Sequence, residues 1–309
     1  MSKLYTLALI FILISCDSRR IVSNDDTIFV DYDKEQIFDW NNTILIKSVV
    51  SLETADDCVL SYARKCLVSG KYIVYHDEKQ KAIFVFDEEG TFLYVIDAVG
   101  GGPDEYTEIK DMAISCDKEF ILVLDNNSVV SFDLKNGRFQ DRISLPQDIA
   151  SNFYRFANVD KQTFYFWSTE KENSLYLYEN GEMKVIEKRT GFPFVCQKFY
   201  YDSENSLNYI SDYGLFEIHG LEQERVRKKY SFDFGYLNFS KSQMPKNVTE
   251  FEQVDDDESF KCIMSAFETD DDLFIMTVSP DGMLYNICLD KITHEVRAGK
   301  QDENAPLLV

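Results

Sequence analysis

The chain has 309 residues, a formal net charge of −22, and 45% hydrophobic and 14% aromatic side chains. That much apolar material builds a sizeable core and excludes intrinsic disorder as the main state. The excess of acid argues against a nucleic-acid surface, which needs Lys and Arg against phosphate; it also disfavours polyanionic ligands and leaves neutral or cationic ones open.

At the N-terminus, Lys3 makes a short positive start and Leu4 to Ile14 an apolar run. A spanning helix needs roughly 20 apolar residues, so the run reads as a signal peptide. It closes in Leu13-Ile14-Ser15-Cys16, which resembles the bacterial lipobox. In that signal a small residue precedes the cut, and the thiol after it takes the lipid. The resemblance implies removal of residues 1–15 and a lipid on Cys16 that tethers the chain to a membrane without crossing it. Residues 16–25 are polar and read as a tether.

Residues 26–309 read as one all-β domain. Thr43 to Val50 is rich in β-branched side chains and is predicted to be a strand. A motif then recurs about every 40–50 residues. It is seen at Tyr72–Asp77, Phe120–Asp125, Phe164–Thr169 and Leu207–Asp212, and after a longer gap at Leu273–Val278. Each copy leads through a polar turn to a second apolar run, such as Ala82–Asp87 or Val129–Asp133. In the first four copies a glycine follows (Gly90, Gly137, Gly181, Gly220), as hairpin turns with positive φ require. A third strand leaves that turn, as at Thr91–Ile96 and Arg138–Ile143, and one precedes the unit, as at Ile109–Cys116. Four strands per unit at this period predict a β-propeller. Five units are legible between Asp57 and His294. The longer gap, with extra strand material from Lys229 to Gly235, and the stretch Asp26–Thr54, placed in the last blade to close the ring, raise the expected number of four-stranded blades to six. Asn238 to Glu258 is polar and is expected to be a loop over one face.

The segment Gly100-Gly101-Gly102-Pro103-Asp104-Glu105-Tyr106 resembles the Gly-x-Gly-Pro-x-Glu-Tyr/Phe loop of the six-bladed β-propeller lipoproteins of Bacteroides-type bacteria, which are related to TolB-like and NHL-like propellers. The strand start Ile109-Lys110-Asp111-Met112, the run Ser51–Thr54 and the terminal Glu303-Asn304-Ala305-Pro306 are similar too, while Asp104 departs from the usual Gly. The resemblance implies a lipid-anchored protein of the cell envelope, in the outer membrane and facing the periplasm or the cell surface. Its partners would be a glycan, a peptide or an outer-membrane transport protein.

Two readings stand for Gly100, Gly102, Pro103, Glu105 and Tyr106: a ligand-facing backbone nest with Glu105 as its carboxylate, or a tight crossing between blades. The recurring Asp77, Asp125 and Asp212 either hold a cation in the pore or bond local backbone N–H groups. The acidic runs Asp255–Glu258 and Asp270–Asp272 lack the spacing of a calcium loop and read as solvated. His76, His219 and His294 fall in different units without metal-ligand spacing, so neither a metal nor another cofactor is expected. Apart from Cys16 there are six cysteines; a bridge between Cys58 and Cys66 and buried free thiols are both compatible with an exported chain. No catalytic spacing is present. The function expected is a non-catalytic binding or scaffold module. The alternative is a glycan lyase or a metal-dependent lactonase or hydrolase, whose site would assemble from different blades.

Overall fold

Runs of Val, Ile, Phe and Tyr broken by Asp, Asn and Gly form antiparallel ladders here, because β-branched and aromatic side chains fill a pleated, half-buried surface. The computed structural model describes residues 27–33, 36–46, 48–240, 244–254 and 259–302. Cys16, the tether, Asp255–Glu258 and Glu303–Pro306 lie outside the described residues.

After a short β1 (Thr27–Phe29), the first blade comprises β2 (Ala63–Ser69), β3 (Tyr72–Asp77), β4 (Ala82–Asp87) and β5 (Phe92–Ile96). The second comprises β6 (Asp111–Ile114), β7 (Phe120–Leu124), β8 (Ser128–Asp133) and β9 (Phe139–Ser144). The helical turn α1 (Gln147–Ala150) leads to the third, with β10 (Phe153–Asp160), β11 (Thr163–Ser168), β12 (Asn173–Glu179) and β13 (Glu182–Lys188). The fourth holds β14 (Phe199–Tyr201), β15 (Leu207–Ile210), β16 (Glu217–Glu222) and β17 (Arg225–Asp233). A short helix, α2 (Val248–Val254), precedes the fifth, with β18 (Ile263–Glu268), β19 (Asp272–Val278), β20 (Leu284–Asp290) and β21 (Val296–Lys300). The first strands neighbour one another in sequence order, β2 with β6, β6 with β10, β10 with β14 and β14 with β18. The recurring motif of the sequence is the second strand of every blade. Second and third strands are buried on both faces between neighbouring blades, whereas outer strands such as β9 and β13 are largely exposed or half-exposed.

The described residues form five blades, not six. Two stretches counted toward a sixth do other work. The long gap is taken up by β17, a nine-residue outer strand, and by α2, whose Phe251 stacks on Phe192 with ring centroids 4.8 Å apart and meets the Tyr213 ring at 5.0 Å. The connection thus caps the fourth blade instead of adding a sheet. Thr43–Val50 belongs to no sheet, and Leu45, Ile46 and Val49 are exposed. Strand propensity becomes a strand only where a partner edge is free, and none is paired to this run. Gly220 is likewise not in a turn; it lies within β16 opposite Asn208 and Arg227, and Gln223 supplies the positive φ instead.

Four of the five blade contacts are continuous apolar clusters. Val74 and Val85 meet Ile121 and Val130 between the first and second blades. Leu122 and Leu124 meet Phe153 and Phe166 between the second and third. Trp167 and Leu177 meet Leu207 and Tyr209 next, and Ile210 and Ile218 meet Ile263 and Ile287 between the fourth and fifth. The seam between the fifth blade and the first is different. Phe38, Trp40 and Ile44 cover Phe274 and Cys288 of the fifth blade, while Leu52, Cys58 and Leu60 cover Phe84 and Phe86 of the first.

These covering residues belong to an N-terminal strap that runs along three blades. β1 adds in parallel to the outer edge of β17, making the fourth sheet five-stranded. Ile37 bridges in parallel to Lys300 on β21, with Phe38 N–H donating to Lys300 O at 2.9 Å and Lys300 N–H to Gln36 O at 2.8 Å. Glu53 N–H then donates to Gly90 O at 2.7 Å, and the Glu53 carboxylate accepts Phe92 N–H at 2.8 Å. The expectation that the N-terminal stretch completes the last blade is therefore corrected: every blade is contiguous in sequence, and the strap bridges them from outside. It approaches closely at Gly90, where a Cβ would stand 2.2 Å from Ser51 O, and at Gly299, where one would stand 2.6 Å from the Phe38 nitrogen.

Gly299→Ala is expected to destabilise the fold by about 1–3 kcal/mol, as overpacking does. Urea unfolding, together with faster proteolysis within residues 43–50, would register the loss. Gly101→Ala, with no atom within 4 Å of the added Cβ, is expected to stay within about 0.5 kcal/mol of the parent.

Candidate functional site

The innermost strands all run the same way along the axis and leave a cavity at each end. At the end where they begin, called the upper mouth here, the cavity is about 660 Å³ and is framed by Tyr62 and the starts of β2, β6, β10 and β14. At the end where they finish, the lower mouth, it is about 880 Å³.

The upper mouth is built on polar cross-ties between blades. Asp111, buried at the head of β6, accepts Lys65 Nζ from β2 at 2.6 Å and its neighbour's Met112 N–H at 2.9 Å. Its other oxygen accepts Phe156 N–H from β10 at 3.1 Å. One carboxylate thus joins three blades, and its acceptor capacity is largely spent. Arg155, in β10, donates from Nε to Cys196 O at 2.9 Å and from Nη1 to Tyr154 O at 2.7 Å and Lys110 O at 3.3 Å, reaching the second and fourth blades. Gln197 continues the series: its Oε1 accepts Ala266 N–H of the fifth blade at 3.0 Å.

Other basic residues that line this end are engaged by neighbouring groups. Lys110 donates to Ser151 O at 2.8 Å and lies over the Tyr154 ring; burial pulls its pKa below the ordinary lysine value, partly offset by Glu108 and Asp125. Arg64 pairs with Glu78 at 3.0 Å on the surface. Lys198, fully buried, donates to Ser211 O at 3.0 Å and stands 3.4 Å from Asp212 and over the Trp167 ring. His76 lies beside the mouth, and burial lowers its pKa, favouring the neutral ring.

The three recurrent aspartates do two kinds of work. Asp77 accepts Ser61 N–H, Tyr62 N–H at 2.9 Å and Gln80 N–H at 2.9 Å. Asp125 accepts the Thr107 hydroxyl at 2.6 Å and the Thr107 and Glu108 amides at 3.2 Å. Both hold the segment that leads into the innermost strand of their own blade. Asp212 instead accepts Trp167 Nε1–H at 2.7 Å and pairs with Arg189 and Lys198, so two cations share one buried carboxylate.

The Gly100–Tyr106 loop crosses from β5 to β6 and lines neither mouth. Glu105 folds back to accept Gly102 N–H at 2.6 Å, and a Cβ on Gly100 would sit 1.9 Å from that carboxylate. Tyr106 is fully buried, with its hydroxyl donating toward Lys81 O and Ile96 O. Arg142 donates to Pro103 O at 3.1 Å and to Glu105 O. Among the described residues, no three His, Cys, Asp or Glu side chains are grouped to hold a metal, and the six described cysteines are free thiols, Cys58 and Cys66 included. No described helix is long and apolar enough to cross a membrane.

A family model described as a domain of unknown function, DUF4934, matches residues 27–306, nearly all of the propeller. The chain belongs to the DUF4934 family. Among solved structures, it is similar to the Bacteroides fragilis protein BF0058, which is named as an exported protein. The two share 16% identity over 89% of this chain and 80% of the other, with a TM-score of 0.69. It is also similar to a DUF4221 family member from Bacteroides vulgatus, with 12% identity over 80% of this chain and 83% of the other, and a TM-score of 0.52. At such identities the likeness is one of fold, and it is the likeness of propellers. No curated protein matches the sequence.

In this DUF4934 chain Lys65, Arg155 and Lys198 of the upper mouth were not singled out from the sequence, and Lys110 and Asp111 entered only as part of a family-like strand start. A signal for them does exist: Lys65, Lys110, Arg155 and Lys198 recur at nearly the blade period, each near the head of an innermost strand. Asp212→Asn leaves Arg189 and Lys198 buried without their counter-charge. It is expected to cost about 3–5 kcal/mol in urea unfolding, while the exposed Asp104→Asn changes stability by less than about 0.5 kcal/mol.

Proposed function

We propose that this chain is an exported, lipid-anchored propeller of the cell envelope that acts as a non-catalytic binding module, taking its ligand at the upper mouth. The observation that carries the reading is the state of Asp111. The one carboxylate lining that cavity is committed to Lys65, Met112 N–H and Phe156 N–H, so it organises the site and is not poised to move a proton. A cavity of about 660 Å³ suits a small ligand or the end of a larger one. Export is supported by the apolar leader and by the name of the similar B. fragilis protein, and lipidation by Leu13-Ile14-Ser15-Cys16. Glycans and peptides are the ligand classes considered, with an outer-membrane transport protein as a further partner.

Two measurements test this reading. Grown with an alkyne-bearing fatty acid, a Bacteroides host expressing the full chain is expected to label it in the membrane fraction, and Cys16→Ser is expected to abolish the label. Incubated with glycan and peptide panels, the purified propeller is expected to retain ligands chemically unchanged. Turnover that Asp111→Asn abolishes would overturn the binding role.

A further inference from the structure

The charge of the chain as a whole and the charge at the upper mouth have opposite signs. In a protein of net charge −22, the described residues lining that cavity include Arg64, Lys65, Lys110, Arg155 and Lys198 against one acid, Asp111; Glu78 and Asp212, outside the lining, offset Arg64 and Lys198, and Glu108 lies 3.8 Å from Lys110. At the lower mouth the two signs are nearly even: Asp202, Glu204 and Glu222 stand among Lys118, Arg227, Lys228 and Lys229, and Lys229 pairs with Asp202 at 2.9 Å.

We propose that the upper mouth is a site for a small ligand carrying one oxyanion head, a carboxylate or a phosphate, held between the Arg155 guanidinium and the Lys65 ammonium. This rests on the binding role proposed above and names the chemistry of its ligand.

Arg155 carries the case. All its protein acceptors are backbone carbonyls, those of Cys196, Lys110 and Tyr154, which orient the guanidinium without cancelling its charge. Nη2 has no acceptor among the described residues, and no carboxylate pairs with this side chain. A planar fork held on two sides and open on the third is arranged to receive a carboxylate or phosphate oxygen. Lys65 adds a second cation. Its ammonium has three donors, one of which goes to Asp111, and its side chain remains 37% exposed. Asp111, already bonded by three donors, offers an incoming anion little open acceptor surface.

The setting strengthens the attraction. Leu67, Met112, Ile114 and Phe156 line the same cavity, and low-polarity walls weaken screening of a charge between them. The size of the cavity and the acidic exterior restrict the ligand. A long polyanion is repelled by the surrounding surface, whereas a single oxyanion head can reach the cations of the cavity.

Calorimetric titration of the intact propeller with matched probes tests the assignment. Glucuronate, butyrate and glucose 6-phosphate are expected to bind saturably, more weakly as salt rises, and glucose and glucosamine are not. The acid that binds best distinguishes a carboxylate head from a phosphate head. Lys65→Gln and Arg155→Gln are each expected to weaken the best acid roughly tenfold, as loss of a charge-assisted bond does. Arg64→Gln, which removes a cation already paired with Glu78, is expected to change it less than about twofold. Arg155 also ties blades together, so Lys65→Gln, on a half-exposed side chain, keeps the test decisive if Arg155→Gln fails to fold. Binding of none of the acids, equal binding of acid and neutral probes, or unchanged affinity in Lys65→Gln overturns the proposal. Retention of a neutral glycan or an uncharged peptide in that event would leave the binding role standing, whereas turnover would remove that role on its own.

Discussion

A ring of blades holds its shape only if the last blade is held to the first, and in this protein one N-terminal strap packs on both. All five blades are contiguous in sequence, so none is shared between the two ends of the chain. The apolar clusters that join neighbouring blades run through four interfaces, while the strap lays Phe38, Trp40 and Ile44 on the fifth blade and Leu52, Cys58 and Leu60 on the first. The polar ties at the upper mouth follow the same course. Asp111, Arg155 and Gln197 link the first blade to the fifth by way of the second, third and fourth. The spacing between Lys65 and Arg155 therefore depends on ties within the ring and on a closure made at its rim.

Much of this architecture was legible from the residues. Second strands announced themselves because they are buried on both faces, which forces a run of apolar side chains such as Phe120–Leu124, and their recurrence gave the propeller and the order of strands within a unit. Blade number was misjudged because Thr43–Val50 has the composition of a strand while its partner edge is a property of the folded ring. β17 and α2 show the converse: a long stretch of chain does not imply another sheet when an outer strand lengthens and a helix caps the blade end.

The candidate site was less legible, for a physical reason. Gly100–Tyr106 stood out by its composition, but an unusual run of Gly and Pro marks a backbone path, here a crossing into which Glu105 folds back. Lys65 and Arg155 look like ordinary solvated residues in a sequence, since nothing local reveals that Arg155 will find only carbonyls to bond. Net charge is silent on such a site. It sums over the whole surface, while a ligand meets the few groups that face one cavity. The aspartates give the lesson in miniature: Asp125 and Asp212 occupy like places at strand ends, yet one bonds backbone amides and the other two buried cations.

The strap also fixes an order of events when the chain is made. Thr27 pairs with Ser231 and Ile37 with Lys300, so the first strand to leave the ribosome waits for some of the last residues before it has a partner. Each blade, by contrast, forms from neighbours joined by short turns, where loop closure is cheap and fast. Folding is thereby divided into local steps that proceed along the chain and one long-range step that comes at the end. Until that step, Phe38 and Trp40 lack the fifth-blade surface on which they pack.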